Sequence, residues 1–171
     1  MATGTPSSTA ALLDSVVGDW RLGLASGVVG GLVAAGILSV LEPRLLSVTM
    51  PALYGLAPPA DALLGSVVVL VHASVLGVAF AGLMAHGDFG GRPATEQVGT
   101  GIAFGLGSWL ALAVVLVPLW LGVLGSSETV SFPFLSVPML AGHLGFGVTV
   151  GVLYFAFDPE AEDPEESTTE A

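Results

Sequence analysis

Two histidines stand where an ionisable side chain is costly and therefore informative. His143 lies inside the apolar run 137–157, VPMLAGHLGFGVTVGVLYFAF, which is 21 residues long. His72 lies 71 positions earlier, in the similar run LGSVVVLVHASVLGVAFAGLM. A neutral imidazole offers one donor and one acceptor, titrates near neutrality and can ligate a metal. Three readings follow. Each ring can bond a backbone carbonyl or a serine on a neighbouring helix and serve structure alone. The pair can instead line a proton or small-solute pathway, or act as the two axial ligands of a haem b. The first two readings need no cofactor. The third histidine, His86, falls in the loop 85–100 and reads as an ordinary exposed residue.

Little else in the chain can do chemistry. There is no cysteine, which removes disulfides, thiolate metal sites, iron–sulfur clusters and cysteine nucleophiles. No GxxxxGK[ST], no HExxH and no carboxylate pair within an apolar run is present, so the motifs for phosphate cradles and zinc hydrolases are missing. Ser26, Ser39, Ser66, Ser74 and Ser108 sit in apolar runs, where a hydroxyl bonds back to its own helix. A nucleophilic serine would need one of the two histidines as its base. No catalytic residue and no metal site is assigned, and the chain is expected not to be an enzyme. Glu42 and Arg44, on either side of Pro43, read as a helix end at the lipid headgroups.

The elements that must hold the histidines follow from composition. The chain has 171 residues, 53% hydrophobic and 10% charged, with a mean hydropathy of +0.89, against about 25% charged for a soluble domain. Its solvent is lipid. Uncharged runs of about 20 residues match the thickness of a bilayer, and four are present, near 22–41, 63–84, 101–123 and 133–157. The expected fold is all-α: a polytopic membrane protein whose four transmembrane helices form a bundle over 22–157. Segment 45–61, LLSVTMPALYGLAPPAD, is broken by Pro51, Pro58 and Pro59 and reads as an interfacial loop with room for one short helix, rather than as a span. Residues 1–21 read as a polar segment without the basic start of a signal peptide, followed by a short interfacial helix anchored at Trp20 and Arg21. Residues 158–171 carry seven acids and read as a disordered tail.

Counted from Leu63 and Pro133, the histidines are nine and ten residues into their spans. At about 1.5 Å per residue both then lie about 14–15 Å deep, at one level and able to face each other.

Four spans put both ends of the chain on one side of a cell membrane. Arg21 and Arg92 fall on that side and Arg44 on the other, which favours cytoplasmic termini. The net charge is −11, from 14 acidic residues against 3 arginines and no lysine. No polybasic footprint exists for nucleic acid or anionic lipid. Such acidity fits a halophile, whose surroundings screen the self-repulsion.

Every span carries a stripe of small residues that would let helix backbones approach: Gly23, Gly27 and Gly31; Ala73, Gly77 and Ala81; Gly101 and Gly105; Gly147 and Gly151. With the last stripe facing a helix, Val150 is expected to face lipid. Gly27 and Gly31 align with Gly101 and Gly105 at an offset of 74, Pro43 with Pro118 at 75 and the histidines at 71. Either the chain is two repeated hairpins related by an axis along the membrane normal, or two glycine-rich hairpins align by composition.

The second half, PLWLG from Pro118 and then SVPMLAGHLGFGVTVGVLY to Tyr154, resembles a group of small four-span membrane proteins of unassigned activity common in haloarchaea. More distantly, it is similar to the YagU-type inner-membrane family. The resemblance rests on Pro118, Leu119, Pro138, Gly142, His143 and Leu144. It implies a four-span membrane protein. The YagU-type family is associated with acid tolerance, and this chain differs from it in shorter loops and an acid-rich tail. The expected function is that of a packing or accessory subunit whose partners are the bilayer and a second copy or another membrane protein; the histidine pathway and the haem protein are the alternatives.

Overall fold

A computed structural model describes residues 18–87, 89 and 91–157. Trp20 and Arg21, expected to anchor the N-terminal interfacial helix, instead open the first spanning helix, capped by Asp19, while most of the expected interfacial helix, up to residue 17, and the acidic tail lie outside the described residues. Within them the fold is all-helical, with four helices long and apolar enough to cross a membrane: α1 (Trp20–Leu41), α2 (Ala62–His86), α3 (Ala94–Val123) and α4 (Val137–Ala156). This is the architecture of a multi-pass membrane protein.

Where helices cross, the bundle is built of small residues, with large ones turned outward. The buried face of α1 is Gly23, Ser26, Gly27, Gly30, Gly31, Ala34 and Ala35, with Leu38 near its end, while Leu24, Val28, Val29, Leu32 and Val33 are exposed. A water-soluble helix would reverse this pattern. In lipid, exposed leucine and valine cost nothing, and helices associate through close backbone packing at small residues. Accordingly α1 packs on α2 and α4, and α3 packs on α4. A Cβ on Gly27 would run into Ala73 and Gly77, and one on Gly101 into Gly147 and Gly151. Raised by 74, the first set of positions becomes the second, so the two hairpins cross at equivalent points.

Two sequence expectations about this repeat change. The histidines do not correspond: at an offset of 74, His72 stands level with Phe146, and Val69 with His143. His143 therefore sits one turn, about 4.5 Å, nearer the loop end than His72. The equal depth expected above came from starting the fourth span at Pro133, whereas α4 begins at Val137, with the Ser136 hydroxyl capping Met139 N–H.

The proline match moves too. A proline lacks the N–H that would bond the carbonyl four residues back. Pro51 leaves the Ser47 carbonyl, which accepts from Asp61 N–H at 2.8 Å, and Pro118 leaves the Val114 carbonyl, which accepts from Phe134 N–H at 3.1 Å. Each proline follows a π-helical stretch, Leu45–Thr49 in one half and Trp109–Leu116 in the other. Pro51, not Pro43, is thus the counterpart of Pro118.

Segment 45–61 is accordingly no interfacial loop throughout. Leu45–Thr49 and the single α turn Met50–Ala52 fold into the bundle, where Leu46, Met50 and Ala52 join the core and the Leu46 carbonyl lies against Gly65. The irregular backbone is tolerated there because its freed carbonyl is satisfied from within the bundle. The third span also begins earlier than expected. Pro93 caps a helix that already includes Gln97, buried against Gly151, so part of the expected loop 85–100 is helix. Likewise His86 is the last residue of α2.

Candidate ligand-binding cleft

α2 and α3 are the neighbours that do not pack along their length. Toward the chain ends the gap between them is filled by rings: Phe80 meets Phe104 at 5.4 Å and Tyr154 at 5.1 Å between centroids, and Phe80 is 0% exposed. Toward the other end it opens into a cleft of about 360 Å³. Phe146 forms its floor, adjoining Phe104. Ala34 and Leu38 of α1 and Met139 and Gly142 of α4 make the back wall; Leu112, Ala113 and Leu116, from the π-helical stretch of α3, make one side. Leu53, Tyr54 and Trp120 close the end, fastened together by the Trp120 indole N–H donating to the Leu53 carbonyl at 2.8 Å.

Both histidines line this cleft, His72 from α2 and His143 from α4. They are not hydrogen-bonded to each other, and each is held by its own helix rather than by a neighbouring one. His72 Nδ1 lies 2.8 Å from the Val68 carbonyl and His143 Nδ1 2.8 Å from the Met139 carbonyl, each four residues back. A carbonyl only accepts, so both Nδ1 atoms carry the proton and, in the neutral ring, both Nε2 atoms present a lone pair. Here the two part company. Tyr54 Oη lies 3.1 Å from His72 Nε2 and donates to it, whereas His143 Nε2 has no hydrogen-bond partner among the described residues. For haem ligation by both rings this means that one axial nitrogen is already engaged. Among the described residues no group of three or more metal-ligating side chains occurs.

The serines behave as hydroxyls in membrane helices do. Ser26, Ser39, Ser66, Ser74 and Ser108 all donate to carbonyls of their own helices. Tyr54 and Trp120 were missed as site residues because the proline-rich segment that carries Tyr54 reads as loop, and no sequence periodicity brings it to α2. Glu128 was missed as well. Arg44 pairs with it at 2.7 Å rather than with Glu42, and its second oxygen accepts from Thr49 Oγ1 at 3.2 Å. This contact joins the loops of the two halves at the cleft end of the bundle.

The eight stripe glycines are all buried at helix crossings. Val150 is buried too, at 0% exposure, against the expectation that it meets lipid. The reason is that α4 is gripped on two sides: Gly147 and Gly151 face α3, while Phe146 and Val150 face the interior between α1 and α2.

No protein-family model matches the chain, and no curated protein or solved structure matches it significantly.

Proposed function

We propose that the protein is a non-enzymatic membrane protein that binds, in the cleft between α2 and α3, a small apolar molecule arriving through the lipid phase. The observation that carries this reading is the cleft itself: an apolar cavity of about 360 Å³ between two helices that do not pack, with an imidazole nitrogen on its wall that has no partner among the described residues. Ligand sites are typically apolar cavities of about 300–1,000 Å³ with few polar groups. An accessory role in a larger membrane assembly is compatible with it, because a bound molecule can be handed to or shared with a partner. A proton or solute pathway has less support: the cleft is closed toward the chain ends by Phe80 and Phe104, and the ionisable groups on its wall stop at two histidines and one tyrosine. The proposed setting is the cell membrane, with both termini cytoplasmic.

The test is recovery of the occupant. Leu116 lines the cleft and is half exposed, so Leu116→Trp fills the opening without crowding the core. Organic extracts of protein purified from native membranes should contain an apolar molecule in stoichiometric amount from the parent chain and lack it from Leu116→Trp. Equal amounts from both would reject the cleft. A Soret band that disappears in both His72→Ala and His143→Ala would replace this reading by the haem protein.

A further inference from the structure

We infer that the molecule held in the cleft is a lipid-soluble phenol or hydroquinone, whose hydroxyl donates to Nε2 of His143. This rests on the reading of the cleft as a ligand site and adds the chemical class.

The argument is an inventory of hydrogen-bonding groups on the wall. Tyr54 O–H is spent on His72, Trp120 N–H on the Leu53 carbonyl, and both imidazole N–H groups on their own helices. Every side-chain donor facing the cleft is used. What remains are acceptors: Nε2 of His143 and the lone pairs of the Tyr54 oxygen. His143 has no acidic partner among the described residues, and an unpaired cation inside an apolar wall is costly, so its ring is taken as neutral, with Nε2 an acceptor. A head that only accepts, such as a ketone, a quinone or an ester, finds nothing to bind there. A hydroxyl does, and a site built to bond a hydroxyl discriminates strongly against the analogue without one.

The ring is argued from the walls and from a contact inside the chain. Phe146, Trp120 and Tyr54 present aromatic surface to the cleft, which suits a flat head. Moreover, the chain already makes the contact proposed: Tyr54, a phenol, donates to His72 Nε2, and the ring planes are tilted by 48° with centroids 5.8 Å apart. His143 has the same tautomer held by the same i−4 bond, and the chain supplies no phenol to it. In size, a cavity of about 150 Å³ takes benzene, so about 360 Å³ holds a substituted ring and the first part of a tail, the rest leaving between α2 and α3.

The experiment uses two probes that differ in one donor, 4-decylphenol and 4-decylanisole, titrated against the full chain in lipid nanodiscs with bound fractions read by native mass spectrometry. The phenol should bind at least about tenfold more tightly than its methyl ether. His143→Phe should bring the two to equal affinity, while His72→Phe should keep the discrimination. The comparison in the unmodified chain stands even where a variant fails to fold. Equal binding of both probes, with both excluded by Leu116→Trp, would overturn the hydroxyl inference and leave the cleft reading intact. Binding of neither probe, or binding untouched by Leu116→Trp, would overturn both. Decanoate outcompeting the phenol would overturn the neutral-ring argument in favour of an imidazolium that takes an anion.

Discussion

At the scale of single residues, what a side chain does in this bundle depends on which neighbour its backbone has already met. Gly105 and Gly107 are two positions apart on α3. A Cβ on Gly105 would strike the His143 carbonyl and Gly147, whereas around Gly107 nothing lies within 4 Å. Gly105→Ala should therefore cost about 1–3 kcal/mol by overpacking, while Gly107→Ala should be neutral or stabilising by up to about 1 kcal/mol through helix propensity. The same logic applies to α4, where Val150→Leu should lower the melting temperature clearly and Val148→Leu, on the exposed face, should not. Thermal unfolding in one detergent, monitored by helical circular dichroism, checks all four. Similar losses at Gly105 and Gly107 would mean that the crossing between α3 and α4 is not as close as described.

At the scale of elements, the two halves repeat a device: span, π-helical stretch, proline, and a returning N–H that satisfies the carbonyl the proline frees. In the second half this device lines the cleft, because the π-helical stretch Trp109–Leu116 brings Leu112, Ala113 and Leu116 to its side. The halves are also tied by Arg44 and Glu128. The Arg44 side chain is 68% exposed and that of Glu128 14%, so the ion pair itself is worth at most about 1 kcal/mol. Glu128 has a second partner in Thr49. A double-mutant cycle should give a small coupling for the pair, and Glu128→Ala should cost more than Arg44→Ala. The reverse order would place the weight on the arginine and undo the assignment of Glu128 as the shared acceptor.

At the scale of the whole molecule, the single span α3 between them brings the 124–136 loop to the opposite side from the connection between α2 and α3. The chain has no cysteine, so single replacements are clean reporters. Thr95→Cys and Ser127→Cys, both exposed, should respond oppositely to an impermeant thiol reagent in sealed vesicles, Thr95 from the side proposed to be cytoplasmic; identical labelling would reject the crossing of α3 and with it the span count. The number of spans, their all-helical nature and the small-residue stripes are legible in the sequence, because lipid forces each span to satisfy its own backbone and to be about 20 apolar residues long. The offset of 74 between the glycines of the two halves is legible for the same reason, since those positions answer to local helix crossings. Three-dimensional packing alone decided the rest. Whether Pro43 or Pro51 matches Pro118 depends on which carbonyl is freed and what returns to meet it. That the two histidines lie a turn apart depends on where α4 starts, and that Val150 is buried depends on α4 having two neighbours. The cleft depends on one pair of helices failing to pack, and its chemistry on Tyr54 arriving at His72 from a segment 18 residues away; hydropathy carries no record of such contacts, because lipid-facing, helix-facing and cleft-facing residues here are equally apolar.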